Sequence, residues 1–211
     1  MDLIISPAIL RTFDECQRKF YLKYVENVQM PQKESAFITG KRIHAVANFY
    51  LQGLDVERFE KELDINEKKI WYFLKENKYF KLPEKKTEYE LMFKLNGIWL
   101  KGRLDALCSD NKNYYILDYK TGGVSGDMTY DYQTMIYLLA VSKKIKEYDE
   151  LKFVYIDLKN FKEVTVSFNE ELGKEYEKRL IDVCTRLSKY NGTETECSNK
   201  KCEYANLCPY L

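Results

Sequence analysis

The spacing of apolar residues changes along this chain, and each change marks an element. In the first third they recur at three and four. Ser6-Pro7 reads as an N-cap followed by proline in the first helical turn. The helix it opens carries Ile9, Leu10, Phe13 and Cys16 on one face. A basic and aromatic stretch, Arg18 to Tyr24, closes that helix, and a loop follows around Met30-Pro31. Gly40 precedes a second helix over about 42–51, and a third, charged helix is expected over about 55–77.

The period then shortens to two. Tyr89, Leu91, Phe93 and Leu95 alternate with other positions and predict a strand. Asn96-Gly97 is a hairpin signal. The next strand runs from Ile98 to Leu107, and 109–113 turn back into a strand over 114–120 that Thr121-Gly122-Gly123 ends. Helical spacing returns over about 127–143. Leu151 to Leu158 and Phe161 to Phe168 predict a second hairpin across Lys159-Asn160. A long helix over about 170–190 would bury Leu172, Tyr176, Leu180, Val183 and Leu187. From Asn191 the tail is irregular and rich in cysteine. This order predicts an α/β fold, a central mixed sheet flanked by helices. Without repeats or a long linker, residues 1–211 read as one domain.

Composition narrows the function. Basic and acidic residues number 34 and 33, which excludes a strongly basic DNA-coating protein but not a local basic groove. The 18 Tyr and 11 Phe read first as packing rings, with base stacking by a few as the alternative. No stretch approaches the ~20 apolar residues of a membrane span. The opening Met1 to Ile5 is acidic and too short for a secretory signal. A cytoplasmic protein without membrane contact is expected, and there six cysteines point to metal binding or burial rather than disulfides.

The candidate chemistry lies on the middle strands. Asp118 and Lys120 share one strand face. Hard divalent cations take oxygen ligands. Asp105 and Asp118 supply two, if the hairpin brings them together, and the Tyr119 carbonyl a third. Lys120 would then stabilise charge on a phosphate or orient a nucleophile. Alone, Asp-x-Lys reads more readily as a solvated ion pair on a sheet edge. His44, the one histidine, could complete a metal site or be a packed residue. Gln133 and Tyr137 share a helix face, as an ordinary polar stripe also would. Arg11, Arg18, Lys19, Lys23, Lys41 and Arg42 could track a phosphate backbone.

Together these phrases resemble the RecB-like branch of the PD-(D/E)XK nucleases. Gly40-Lys41-Arg42-Ile43-His44 resembles the family's G-x-x-x-H. Gly102-Arg103-Leu104-Asp105 resembles its G-x-x-D, Asp118-Tyr119-Lys120 its D-x-K, and Gln133 to Tyr137 its Q-x-x-x-Y, all in the family's order. The resemblance implies a restriction-endonuclease-like core over 40–190. It implies Mg²⁺ or Mn²⁺ held by His44, Asp105, Asp118 and the Tyr119 carbonyl, and Lys120 as the catalytic lysine. Gln133 and Tyr137 would brace the site or contact DNA, and Glu88 or Glu90 would lie near the metal.

Cys197, Cys202 and Cys208 cluster in the tail, and three thiolates need a fourth ligand to close a site. Cys16, followed by Gln17-Arg18-Lys19-Phe20-Tyr21, completes a one-then-three arrangement. It resembles the iron–sulfur subgroup of the same family, the AddB-type and small CRISPR-associated adaptation nucleases. That implies a [4Fe-4S] cluster on Cys16, Cys197, Cys202 and Cys208, joining 1–30 and 191–211 in one subdomain with the tail packed on the first helix. The spacing departs from the subgroup's, since Asn199 stands where the first tail cysteine is expected. Zinc is the rival occupant, and unligated surface thiols the third reading. Cys108 and Cys184 read as core.

The resulting expectation is a metal-dependent deoxyribonuclease. It would act as an exonuclease on single-stranded DNA ends and process DNA before integration in CRISPR adaptation, beside an integrase or another recombination protein. A stand-alone phage or host repair nuclease is one alternative. A catalytically silent DNA-binding or assembly module is another, and the intact Asp105, Asp118 and Lys120 argue against it. A P-loop is absent.

Overall fold

The computed structural model describes residues 4–31, 38–192 and 202–208. Cys197 and Asn199 lie outside them. Helix α1 (Pro7–Glu15) starts where the sequence marks it, with Ser6 Oγ accepting the Ile9 N–H at 3.4 Å. Cys16 then interrupts the helix with extended backbone. Its sulfur accepts the Lys19 N–H at 3.4 Å and so opens the short α2 (Gln17–Phe20), which runs into a π-helical turn over Tyr21–Val25. Helix α3 (Ile38–Leu51) begins ahead of Gly40, earlier than expected.

The single helix expected over about 55–77 is two, α4 (Glu57–Glu62) and α5 (Ile65–Lys75), followed by a 3-10 turn over Lys78–Lys81. Asp64 makes the break. Its carboxylate accepts the N–H groups of Asn66 and Glu67, while Glu67 accepts the N–H of Asp64. This is a capping box, and Asp64-x-x-Glu67 spells it in the sequence.

The sheet holds β1 (Glu84–Leu95), β2 (Ile98–Asp110), β3 (Asn113–Lys120), β4 (Glu150–Asp157) and β5 (Lys162–Ser167) in that spatial order. Strands β3 and β4 pair in parallel and all other neighbours antiparallel, so the sheet is mixed, as expected. The parallel crossover passes through α6 (Tyr132–Lys144). That helix starts later than the expected residue 127. Asp127 instead forms a turn by accepting the Thr129 N–H, and Asp131 caps the helix by accepting the Gln133 N–H, each at 2.8 Å. Helix α7 (Glu170–Lys189) follows β5. In it Leu172 is half-buried, and Gly173 takes the buried position against Phe168.

Two apolar layers clamp the sheet. One joins Leu10, Phe13, Ile116, Ile136, Phe153, Tyr155, Tyr176 and Leu180, from α1, α6 and α7. The other joins Ile43, Ala47, Trp71, Leu74, Leu117, Val154 and Ile156, from α3 and α5. Each fully buried side chain of this size contributes about 1.5–3 kcal/mol. Because Ile116 and Leu117 are locked into opposite layers, the facing of the residues after them is fixed. Cys108 and Cys184 are buried as expected, and burial pushes their thiols up to about 12 and about 11. Among the described residues no helix is long and apolar enough to cross a membrane.

Strands β2 and β3 pair only from Asp110–Asn113 to Ala106–Leu117. Beyond Ala106, β2 parts from β3. Its freed edge is next met by Ile5, which donates to the Trp99 carbonyl and accepts from Lys101, both at 2.8 Å. The gap left between these contacts opens beside Asp105 on β2 and Asp118 on β3. The loop that leaves Lys120 for α6 is tied down by Asp157, which is fully buried. Its carboxylate accepts the N–H groups of Val124, Lys159 and Asn160 and the Asn160 amide. Burial alone would raise its pKa; the Asn160 side chain and these N–H donors outweigh that and lower it.

Asp157→Ala should therefore destabilise the fold by about 2–4 kcal/mol in denaturant titration, since several buried donors lose their acceptor. A carboxylate with a lowered folded pKa stabilises above its unfolded pKa, and the effect fades as pH falls through the folded value. The gap between wild type and variant should thus shrink on acidification below about pH 4. A variant within 0.5 kcal/mol of wild type, a threshold set roughly at the noise of surface substitutions, would remove Asp157 from this role.

Candidate active site

The sequence motifs converge where β2 and β3 part. Extending the β2–β3 register by one step places Asp105 opposite Asp118. No ladder bond forms there; the Asp105 carboxylate itself accepts the Tyr119 N–H at 2.8 Å. From the α3 side, one ring nitrogen of His44 lies 3.0 Å from the Tyr119 carbonyl and the other 3.3 Å from Asp105 Oδ1. From the α6 side, Gln133 bridges the D-x-K pair. Its amide nitrogen donates to Asp118 Oδ1 and its oxygen accepts from Lys120 Nζ at 2.9 Å.

Asp118 is 5% exposed. Lys120 Nζ lies 2.8 Å from its Oδ2 and pairs with that buried oxygen. Burial and the neighbouring Asp105 charge push the Asp118 pKa up to about 6, against the pull of Lys120 and Gln133. Burial pushes His44 down, but the hydrogen bond and charge of Asp105 outweigh it, and its pKa is raised.

Tyr137 braces the strand. Its hydroxyl accepts the Arg103 N–H at 3.3 Å and donates to the Arg103 carbonyl at 3.1 Å, filling the β2 edge that neither Ile5 nor β3 reaches. Its ring lies over Gly102, where an added Cβ would fall 2.0 Å from Tyr137 Cε1. The glycine of G-x-x-D and the tyrosine of Q-x-x-x-Y are thus one contact. Gly40 likewise lies against Thr121, its would-be Cβ 3.1 Å from Oγ1.

Two clefts flank Arg103. One, of about 460 Å³, is lined by Lys41, His44, Glu88, Arg103, Asp105 and Thr121. The other, of about 740 Å³, lies between the start of α1 and β2 and reaches Gln133 and Tyr137. Glu88 is set opposite Asp105 by the β1–β2 register, holds a left-handed backbone (φ 48°) and pairs with Arg103 at 2.9 Å. Glu90 lines the other cleft. Of the basic residues proposed to track DNA, Arg11 is paired with Asp131 at 2.8 Å, Lys19 with Glu203, and Arg42 with the buried Glu67. Lys41 faces the His44 cleft. Asp157 was not foreseen; only its place at the end of a strand, before Lys159-Asn160, hinted at a turn cap.

Among the described residues no three His, Cys, Asp or Glu side chains gather at one point. The site still suits a hard divalent cation. The His44 ring adjoins both Asp105 and the Tyr119 carbonyl, a set of nitrogen and oxygen donors, and Asp118, paired with Lys120, adds a second carboxylate. The cysteines are less complete. Cys16, Cys202 and Cys208 are half-buried free thiols, and Cys197 is outside the described residues. The segment bearing Cys202 does dock on the N-terminal one. Lys19 pairs with Glu203 at 3.4 Å, and the buried Tyr204 donates to the Val28 carbonyl at 3.0 Å. Thiols on two docked segments suit a soft metal or cluster.

A mixed sheet between helical layers, with paired carboxylates and a lysine where two strands part, defines a nuclease core. The sequence profile of the PD-(D/E)XK nuclease superfamily matches residues 4–209, and the chain belongs to that family. It is 24% identical over 210 residues to the CRISPR-associated exonuclease Cas4 of Francisella tularensis subsp. novicida, covering 98% of this chain and 94% of that protein. Among solved structures, a putative exonuclease from Eubacterium rectale shares the fold with a TM-score of 0.62 at 11% identity, over 99% of this chain and 89% of that one.

Asp118→Asn removes a buried charge held beside another carboxylate. In chelator at pH 7.5 it should raise stability by on the order of 2 kcal/mol. The sign follows from the raised folded pKa. The native state holds the proton that the unfolded chain has released, so wild-type stability falls as pH rises from about 4 to about 6. An Asn variant less stable than wild type at pH 7.5 would show that the carboxylate is not under this strain.

Proposed function

We propose that this nuclease cuts DNA with Mg²⁺ or Mn²⁺ held by His44, Asp105, Asp118 and the Tyr119 carbonyl, and with Lys120 as its catalytic lysine. The observation that carries the reading is the Gln133 bridge. It fixes Lys120 and Asp118 together beside the Asp105–His44–Tyr119 group, which a solvated surface ion pair would not require. A bound divalent ion would supply Lewis-acid polarisation of the phosphodiester and favour ionisation of a water. The side chains do the rest. Asp118 and Asp105 hold negative charge toward the cation. The Lys120 ammonium, kept in place by Gln133, faces the charge that develops on the scissile phosphate. Tyr137 keeps Arg103 and β2 in register so that Asp105 stays opposite Asp118.

Single-stranded DNA ends are the proposed substrate, and trimming of DNA before integration the proposed role, with an integrase or another recombination protein as partner. The similarity to a CRISPR-associated exonuclease across nearly the whole chain supports the exonuclease class and the CRISPR link, not the strand preference or the partner. The stand-alone repair nuclease would carry the same site. We also propose that Cys16, Cys197, Cys202 and Cys208 hold a [4Fe-4S] cluster, making 1–30 and 191–211 one structural subdomain. The docking of Glu203 and Tyr204 on Lys19 and Val28 supports it.

Wild-type protein should degrade end-labelled single-stranded DNA in Mn²⁺, and Lys120→Ala should lower the rate by at least about 100-fold, as for loss of a transition-state charge partner. Full activity in Lys120→Ala would sink the site assignment. A ladder on duplex substrate alone would correct the strand preference. Metal affinity, read by calorimetry, should rise from pH 6 to pH 8, because protons compete at both Asp118 and His44, whose pKa values are raised. Anaerobically purified protein should carry iron that Cys202→Ala loses and Cys108→Ala keeps. Zinc without iron would replace the cluster assignment.

A further inference from the structure

Beyond the D-x-K centre, β2 carries an ordered row of which the proposed chemistry uses only the inner end, Asp105. Trp99, Lys101, Arg103 and Asp105 alternate along one strand, so all stand on the same face. Leu100 and Leu104 between them are buried in the opposite layer. The first three of the row are exposed, Trp99 at 41%. A rise of about 3.3 Å per residue spaces the row in steps of about 6.6 Å. That is the order of the step between phosphates in an extended single strand. The row thus reads, outward from the carboxylate, as cation, cation and aromatic ring.

The facing strand deepens the pattern. Opposite Trp99 stands Lys94, its ammonium 5.6 Å from the indole centre, and opposite Lys101 stands Met92, 59% exposed. Carboxylates also face the row. Glu90 is opposite Arg103, and Glu88 pairs with the Arg103 guanidinium at 2.9 Å. Arg103 therefore exchanges one anionic partner for another when a phosphate arrives. Arg103 also lines both clefts, the one holding His44 and Asp105 and the one reaching Gln133. Lys101 lines the second of these. The row is continuous with the site rather than a separate patch. An exposed tryptophan at its far end, beside a lysine, has the character of a base-stacking platform.

We infer that the outer face of β2 is a track for the single-stranded substrate, with Arg103 and Lys101 on successive phosphates next to the scissile one and a base stacked on Trp99. This rests on the nuclease reading above and adds where the strand lies. A single strand fits the row because stacking on Trp99 needs an unpaired base face.

The test is fluorescence anisotropy with 5′-labelled oligothymidylates of increasing length, in the Lys120→Ala background with Mn²⁺. Affinity should climb with length until the strand reaches Trp99. Trp99→Ala should remove the last gain, lowering affinity for long strands by about 5- to 100-fold. Trp99→Phe should restore most of it. Lys101→Ala should reduce the slope of log affinity against log salt by about one. Lys68→Ala, on α5, controls for loss of surface charge. If Trp99→Ala matches its parent at every length, or if duplex competes as well as single strand, the track is overturned. The nuclease reading is scored apart from this, by cutting with Lys120 intact. Binding that follows the row without any such cutting would overturn the catalysis and keep the track.

Discussion

The burial of Asp118 is the constraint on which the rest of the site depends. An ionised carboxylate with little access to water, beside a second carboxylate, loses several kcal/mol of solvation that its surroundings must offset. Lys120 supplies charge from the same strand face, and Gln133 supplies an amide that grips both. What this burial demands is positive charge: the Lys120 ammonium, 2.8 Å from Asp118 Oδ2, supplies one, and a divalent cation would supply more. The electrostatic strain and the proposed metal chemistry are the same fact seen from two sides.

That demand propagates outward through backbone structure. Gln133 can reach Asp118 only because α6 begins at Tyr132, on the Asp131 cap, and Asp131 is in turn held by Arg11. The loop between Lys120 and α6 keeps its path because Asp157 accepts the Val124 N–H and so ties it to the β4–β5 turn. Arg11 and Asp157 touch no reacting atom, yet both hold elements that do. Arg11 thereby holds the α6 cap through its ion pair with Asp131 while lining the cleft that reaches Gln133.

The parting of β2 from β3 has a second consequence. It frees one edge of β2, and an open edge must be satisfied. Ile5 covers one stretch and the Tyr137 hydroxyl another, which draws the N-terminal segment against the sheet beside the cleft that reaches Gln133. Gly102 is required because the Tyr137 ring occupies the space of a side chain there. Motifs that look like separate signatures in the chain are therefore one mechanical unit.

Alternation of apolar positions foretold the half-buried β1, and short apolar runs between turn residues the other strands and the mixed α/β layering, because burial on one face leaves a period of two and burial on both leaves a run. The order of His44, Asp105, Asp118, Lys120, Gln133 and Tyr137 was legible too, since each motif is contiguous. Element boundaries were less so. The Asp64 capping box broke a helix expected to be continuous, and the Asp131 cap delayed α6, because a single side-chain acceptor decides such ends. What only the tertiary structure decided is how the motifs meet: that Asp105 replaces a ladder partner for Tyr119, that Gln133 bridges Asp118 and Lys120, and that Glu88 faces Asp105. These contacts join residues far apart in the chain. Their geometry depends on where two strands separate, which strand register and helix packing fix and local spacing does not.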